Sequence, residues 1–306
     1  MPGAYAHMTL VNQSLDQRKL DELGFPERAK DAAGLFLNFC ELGSVSPDYP
    51  YLVFEESSKR WADAMHYTRT GGIVRAGVRA LREMRGDAQL KCLAWLFGYA
   101  SHVVADVTIH PVLDINVCTY AEHPKLHRIC EMHQDVYIFQ RMRVGGVGEH
   151  LKTGIRSCVG KGKTIYSNID RFWSSLLQEV HPAEYAANKP GIKKWHERFC
   201  LVIDAIDEGD HLPEIFQHML SEQGAVYPSL LQVKSSYLTG MRTPGGARPL
   251  HYDEIFDQAV LNARKVQLEI ARGVFEGGEE YASLIQDWNL DTGKVSENGP
   301  VAFWEG

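Results

Sequence analysis

Histidines and carboxylates recur at intervals of four residues in one stretch of the sequence. His102, Asp106 and His110 form one such series, and His127 and Glu131 form a second. Residues four apart lie on the same face of an α-helix, so each series brings imidazole nitrogens and carboxylate oxygens together. These are the ligands that hydrolytic zinc favours. The two series therefore predict a site at which bound metal activates water for hydrolysis.

His102 and Asp106 of the first series lie in the most apolar segment of the chain, between Leu90 and Val107. We predict a long helix here that begins near Asp87 and is ended by Pro111. An ionised Asp106 buried in such a helix without compensation would be strongly destabilising, and a divalent cation beside it supplies the compensation.

The second series lies on a helix predicted from about His123 to Arg143. It continues to Asp135, which is a candidate for orienting the metal ligands without binding the metal itself. A third helix is predicted from Pro26 to Leu42, ended by Gly43, with a turn-rich loop from Gly43 to Tyr51 after it.

Three more candidate ligands precede the long helix. Asp48 lies between Pro47 and Pro50, which restrict the backbone and hold its carboxylate in place. Asp48 is also the candidate for orienting or deprotonating the attacking water. His66 and His7 are the other two candidates.

Tyr49, Trp61 and Tyr67 lie close to these ligands in the sequence. They are candidates for a substrate-binding wall, because aromatic faces bind cationic groups such as choline. Packing in the core is the alternative for the same three side chains.

The bulk composition favours a globular protein. The 306 residues are 44% hydrophobic and carry a net charge of −7. An acidic chain is not expected to bind nucleic acid stably by charge, and charged groups within the apolar segment argue against a membrane span. The start of the chain lacks the features of a signal peptide, and the six cysteines are scattered. We therefore expect reduced thiols and a cytoplasmic location. Nothing in the sequence indicates the oligomeric state.

Helical periodicity dominates the whole chain, which predicts an all-α, multi-helix bundle. We expect a metal-binding catalytic region over residues 1–145 and a helical scaffold or lid over 146–285, packed as one domain. An irregular tail is expected over 286–306.

The order and type of the candidate ligands resemble those of the bacterial zinc-dependent phospholipase C family, whose superfamily includes fungal zinc nucleases. The resemblance covers residues 2–140 and implies a helical bundle with a cleft lined by a trinuclear-type zinc centre. We expect two or three zinc ions in this chain. It implies that the substrate is a phosphate-ester small molecule or a phospholipid head group. It further implies one zinc on Asp48, His66, His102 and Asp106, a second on His110, His127 and Glu131, and a third on His7 and Asp106.

The chain departs from the family pattern at two places. The interval from Asp106 to His110 is shorter, which leaves the second zinc position open. The chain begins Met1-Pro2-Gly3 where secreted members begin with a zinc-binding tryptophan, and the Pro2 amine is a hypothetical substitute if Met1 is removed.

Several functions are consistent with these residues. The leading hypothesis is a phospholipase C-like phosphodiesterase that uses metal-activated water. Alternatives are a nuclease of the same superfamily, a di-iron or HD-type helical metalloenzyme, and a metal-stabilised binding protein without catalysis. The absence of an adjacent His-Asp pair argues against the HD type, and the scarcity of paired Glu-x-x-His motifs argues against a di-iron enzyme.

Overall fold

The structure is a computed structural model that describes residues 3–117, 122–142, 155–158, 164–207, 227–246 and 248–304. Within these ranges the chain forms α-helices and short 3-10 segments and no β-strand, which confirms the predicted all-α, multi-helix class. The α-helices, in chain order, are α1 (Ala4–Ser14), α2 (Gln17–Glu22), α3 (Glu27–Leu35), α4 (Leu37–Val45), α5 (Glu56–Tyr67), α6 (Thr70–Arg82), α7 (Gly86–Val117), α8 (Pro124–Phe139), α9 (Ser167–Val180), α10 (Pro182–Ala187), α11 (Ile192–Asp207), α12 (Tyr252–Phe275) and α13 (Glu280–Leu284).

Helix α7 is the centre of the fold. Every residue from Cys92 to Leu113 is buried, and the helix packs against α4 on one side and α12 on another. It is long and apolar enough to cross a membrane, but its apolar window is wholly buried within the chain. Burial on all sides by other helices is typical of a core helix.

Helices α4 and α7 approach each other closely because two glycines lie at their contact. A Cβ atom on Gly43 would lie 2.0 Å from the carbonyl oxygen of Trp95, and one on Gly98 would lie 1.9 Å from that of Cys40. The predicted end of the upstream helix at Gly43 is therefore wrong. The predicted helix is instead two helices separated at Phe36, and α4 continues through Gly43 to Val45.

The predicted loop after Gly43 is also wrong in part. Residues Ser46–Val53 form a 3-10 segment that contains both Pro47 and Pro50. Proline is compatible with the first turn of a helix, and this segment carries Asp48 directly behind α4.

The prediction that Pro111 ends the long helix is wrong. Helix α7 continues to Val117 with Pro111 inside it, held by the buried side chains of Val112 and Leu113. The C-terminal segment, which follows α13 and is described to residue 304, covers this part of the helix. There Trp304 Nε1–H donates to the carbonyl of Thr108 at 2.7 Å. Pro111 lacks the N–H that would donate to the Val107 carbonyl, and the bond from Trp304 to the adjacent Thr108 carbonyl ties this part of α7 to a segment distant in the chain.

The C-terminal segment also reaches the predicted metal ligands. The amide of Leu290 donates to the carbonyl of His66 at 2.9 Å, and the carbonyl of Leu290 accepts from His110 Nδ1 at 2.9 Å. The division of the chain near residue 145 stays a prediction, since residues 143–154 lie outside the described ranges. The five described cysteines are free thiols, and Cys118 lies outside those ranges.

Candidate metal centre

Asp106 lies at the middle of the predicted ligands. Its carboxylate oxygens are 3.4 Å from His7 Nε2, 3.3 Å from His102 Nε2 and 3.9 Å from both His66 Nε2 and His110 Nε2. The side chain is fully buried, and neither oxygen has a hydrogen-bond partner among the described residues. A buried carboxylate surrounded by imidazole nitrogens is the arrangement expected of a metal ligand.

His66, from α5, and His102, from α7, face each other beside Asp106. Their Nε2 atoms are 3.4 Å apart, and His66 Nε2 is 3.4 Å from Asp48 Oδ1. Their Nδ1 atoms contact the carbonyls of Ala62 and Ser44 at 2.7 and 2.8 Å. A hydrogen bond from Nδ1–H to a carbonyl leaves the Nε2 lone pair directed at the centre.

His7 enters the site from α1. Its ring stacks on that of His102 with centroids 4.0 Å apart, and neither of its nitrogens has a hydrogen-bond partner among the described residues. Asp135 holds the start of α1 by accepting hydrogen bonds from the amides of Tyr5 and Ala6. Burial raises the pKa of Asp135 to about 7, despite these hydrogen bonds and one from the Tyr227 hydroxyl. Asp135 thus fixes the start of the helix that carries His7.

His110, His127 and Glu131 form a second set of neighbours. His110 Nε2 lies 3.8 Å from Glu131 Oε1, and His127 Nδ1 lies 3.0 Å from the same oxygen. The second set adjoins the first through Asp106, because both Asp106 and Glu131 approach His110.

These spacings fit zinc. Four donors at zinc–ligand distances of about 2.0–2.1 Å in a tetrahedron lie about 3.3 Å from one another. The atoms of His66, His102 and Asp106 lie within 4.8 Å of one another, as do those of His7, Asp48 and His102. The described residues therefore supply two overlapping groups able to hold a metal ion.

The protonation states of His7, His110 and Asp48 also suit metal binding. Burial lowers the pKa values of His7 and His110 to about 3, so both imidazoles are neutral at pH 7. Burial opposes ionisation of Asp48, but His102 and His66 outweigh it and hold its pKa at about 2. Neutral imidazoles and ionised carboxylates are the forms that bind zinc.

An open cleft of about 700 Å³ adjoins the ligands. Its lining includes Tyr51, Phe54, Tyr67, Arg128 and Asp291. The rings of Tyr51 and Tyr67 lie 5.5 and 6.0 Å from that of His66. Asp291 Oδ1 lies 3.7 Å from His110 Nδ1, and Arg128 Nη1 lies 3.2 Å from Glu131 Oε2. The cleft thus meets the candidate metal centre along one wall.

Only one of the three predicted wall aromatics lies at the cleft. Tyr67 is 41% exposed and lines it. Tyr49 is fully buried, with its ring stacked on Phe199 at 4.4 Å. Trp61 is buried as well and donates from Nε1 to the carbonyl of Asn188 at 3.0 Å. Core packing, the alternative for these side chains, is what the structure shows for Tyr49 and Trp61.

Sequence reasoning missed Asp114, Arg128 and Asp291. Asp114 follows His110 by four residues and continues the series, but the helix was predicted to end at Pro111. Arg128 is adjacent to a predicted ligand, and its orientation has no signature in the sequence. Asp291 is distant in the chain, and only the fold brings it to the site.

The fold and the site together define an α-helical protein in which buried histidines and carboxylates able to hold a metal ion lie beside an open cleft. A family model described as zinc-dependent phospholipase C matches residues 6–183, and the chain belongs to this family. The match confirms the resemblance seen in the sequence. Membership makes the protein one of a family of zinc-dependent hydrolases that act on phosphate esters. Searches of curated proteins and of solved structures found no match.

Proposed function

We propose that this protein is a phospholipase C-like phosphodiesterase that hydrolyses phosphate diesters with water activated by two or three zinc ions. The observation that carries the proposal is the set of buried imidazoles and carboxylates around Asp106, whose two oxygens have no hydrogen-bond partner among the described residues. Such a set is stable when cations occupy it, and it lies beside a cleft large enough for a substrate.

The ligand assignment follows the family pattern. Asp48, His66, His102 and Asp106 would hold one zinc, His110, His127 and Glu131 a second, and His7 with Asp106 a third. The contacts of 3.3 to 3.9 Å between Asp106 and four imidazoles support a bridging role for this carboxylate. The zinc ions would lower the pKa of a bound water to about 7 and neutralise phosphate oxygens.

Asp48 is suited to orienting the attacking water. Its side chain is 23% exposed, whereas those of Asp106 and Glu131 are fully buried. With a pKa of about 2 it stays ionised at neutral pH and accepts a hydrogen bond from water. The same low pKa makes it a weak base, so we assign it to positioning the water rather than to storing its proton.

Arg128 is suited to binding the phosphate. Its guanidinium lies in the cleft wall beside Glu131, and the side chain is 21% exposed. Guanidinium groups bind phosphate oxygens in two-pronged geometry, so Arg128 would fix the ester relative to the metal ligands.

The rest of the cleft favours a cationic head group. Its walls include three aromatic rings and more carboxylates than basic groups. The aromatic residues are Tyr51, Phe54 and Tyr67, the acidic ones Glu55, Glu56, Asp63 and Asp291, and the basic ones Lys59 and Arg128. Aromatic faces together with carboxylates attract quaternary or primary ammonium groups.

The test combines metal analysis with a substrate panel. Purified protein should contain two or three zinc ions by mass spectrometry and should hydrolyse p-nitrophenyl phosphorylcholine faster than bis-p-nitrophenyl phosphate or p-nitrophenyl phosphate. Chelation should abolish activity and added zinc should restore it. Asp48→Asn should reduce kcat strongly, whereas Asp87→Asn, at the exposed start of α7, should leave it unchanged. Zinc-loaded protein without turnover of any ester would refute the proposed activity and favour a metal-stabilised binding protein.

A further inference from the structure

Three of the candidate histidines share one hydrogen-bonding pattern. The Nδ1 atoms of His66, His102 and His110 contact backbone carbonyls at 2.7, 2.8 and 2.9 Å. A carbonyl oxygen only accepts hydrogen bonds, so the proton of each neutral ring lies on Nδ1 and the lone pair lies on Nε2. In all three rings Nε2 is therefore the nitrogen available to a metal ion.

His127 follows the same pattern, with a carboxylate in place of the carbonyl. Its Nδ1 is hydrogen-bonded to Glu131 Oε1 at 3.0 Å. An ionised carboxylate only accepts, so the ring nitrogen donates and Nδ1 carries the proton. In the neutral ring the lone pair of His127 is then on Nε2, as in the other three histidines.

The Nε2 atom of His127 faces the carboxylate of Asp114, which is not among the eight candidate ligands. The distance from Nε2 to Asp114 Oδ1 is 3.4 Å. Hydrogen bonds of this type are usually about 2.7–3.2 Å long, whereas two ligands of one tetrahedral zinc lie about 3.3 Å apart. The same spacing separates His102 from Asp106, at 3.3 Å, and His66 from Asp48, at 3.4 Å.

We infer that Asp114 is a further zinc ligand, which shares with His127 Nε2 one ion of the proposed centre. The inference rests on the proposed function and adds a ninth residue to its ligand set. A nitrogen lone pair and a carboxylate oxygen that face each other repel, and a cation between them removes the repulsion. Glu131 then has a second task, because a carboxylate on the far nitrogen of a metal-bound histidine orients the ring and raises its basicity.

The extension of α7 beyond Pro111 places Asp114 at this position. Asp114 lies one turn after His110 on the same helix, and α7 continues to Val117. The Asp114 side chain is 20% exposed, whereas that of His127 is 2% exposed. The ion would therefore lie at the edge of the buried centre, where water or a phosphate oxygen can complete its coordination.

The first experiment measures zinc affinity in the holoprotein by competition with a chelator of known strength. Asp114→Ala and Asp114→Asn should both weaken one ion by more than the about 10–100-fold that the loss of a merely supporting partner causes, and should leave the others unchanged. Asp114→Asn keeps an oxygen that can accept a hydrogen bond, so near wild-type affinity in this variant would overturn direct ligation. The matched control is Asp87→Asn, which removes an exposed carboxylate from the start of α7 and should not change the affinity.

A second measurement identifies the metal-bound nitrogen. Long-range 1H–15N correlation spectra of the zinc-loaded protein should show His127 protonated at Nδ1 and bound to zinc through Nε2, like His66, His102 and His110. Zinc on Nδ1 of His127, on the side away from Asp114, would overturn the inference and leave the zinc centre intact. Wild-type protein that binds no zinc would instead refute the proposed function itself.

Discussion

Gly98→Ala tests whether the close contact of α4 and α7 positions the metal ligands. The added Cβ would lie 1.9 Å from the Cys40 carbonyl oxygen and 2.7 Å from the Ser44 amide nitrogen, both backbone atoms of α4. Cβ atoms essentially never approach other heavy atoms within 3.0 Å, so the helices must separate by about 1 Å. Such overpacking costs about 1–3 kcal/mol. At about 2.1 cal/mol/K of unfolding entropy per residue, this lowers Tm by about 2–5 °C for a chain of this length.

The same shift would disturb the metal centre. Ser44 supplies the carbonyl that contacts His102 Nδ1 at 2.8 Å, and α4 leads directly to the segment with Asp48. We therefore expect weaker zinc binding together with the lower Tm, measured by thermal unfolding with and without added zinc. Gly34→Ala is the control: Gly34 is an exposed helical residue with 3.4 Å to its nearest neighbour, so alanine should be neutral or stabilise by up to about 1 kcal/mol. A Gly98→Ala protein with unchanged Tm and zinc affinity would show that this contact does not position the ligands.

Three further predictions concern the carboxylates and histidines of the site. Asp106→Asn should lower the zinc content by at least one ion per chain, because Asp106 approaches four imidazoles; a full complement by metal analysis would contradict its bridging role. Burial lowers the pKa of His102, but the carboxylates of Asp106 and Asp48 have the larger effect and raise this pKa to about 8 in the metal-free protein. Zinc must therefore displace a proton from His102 below that pH. Zinc affinity should therefore rise about tenfold per pH unit up to pH about 8 and then level off, and a flat profile in chelator competition would exclude this coupling. Asp135→Asn should lower the free energy of unfolding by about 1–3 kcal/mol, because one carboxylate oxygen that accepts hydrogen bonds becomes an amide donor; equal stability in denaturant titrations would count against a supporting role.

The sequence predicted the helical class because helical periodicity is a local property. The helix predicted from about His123 to Arg143, for example, is observed as α8 from Pro124 to Phe139. The errors at Gly43 and Pro111 have a common cause. Both residues are helix breakers by local preference, and in both cases a partner distant in the sequence makes the helical conformation stable. At Gly43 that partner is the backbone of α7, and at Pro111 it is the C-terminal segment.

The candidate site could be predicted where its histidines and carboxylates recur at helical spacing. The series from His102 to His110 specifies which side chains share a face, and the structure brings them together with His7 and His66. Aromatic residues carry no such information, because Tyr49 and Tyr67 differ only in whether other helices cover them. The position of Asp291 could not be predicted from the sequence either, because it depends on how the C-terminal segment packs against the site.

The C-terminal segment links the two groups of ligands through one residue. Leu290 binds the backbone of His66 through its amide and the imidazole of His110 through its carbonyl, and its neighbour Asp291 lines the cleft. All eight candidate ligands fall within the family-matched range of residues 6–183, and these two residues fall outside it. Ligands determine what bond is broken, whereas cleft walls determine which substrate fits. Part of the wall of the candidate cleft therefore lies in a region of the chain that the family match does not cover.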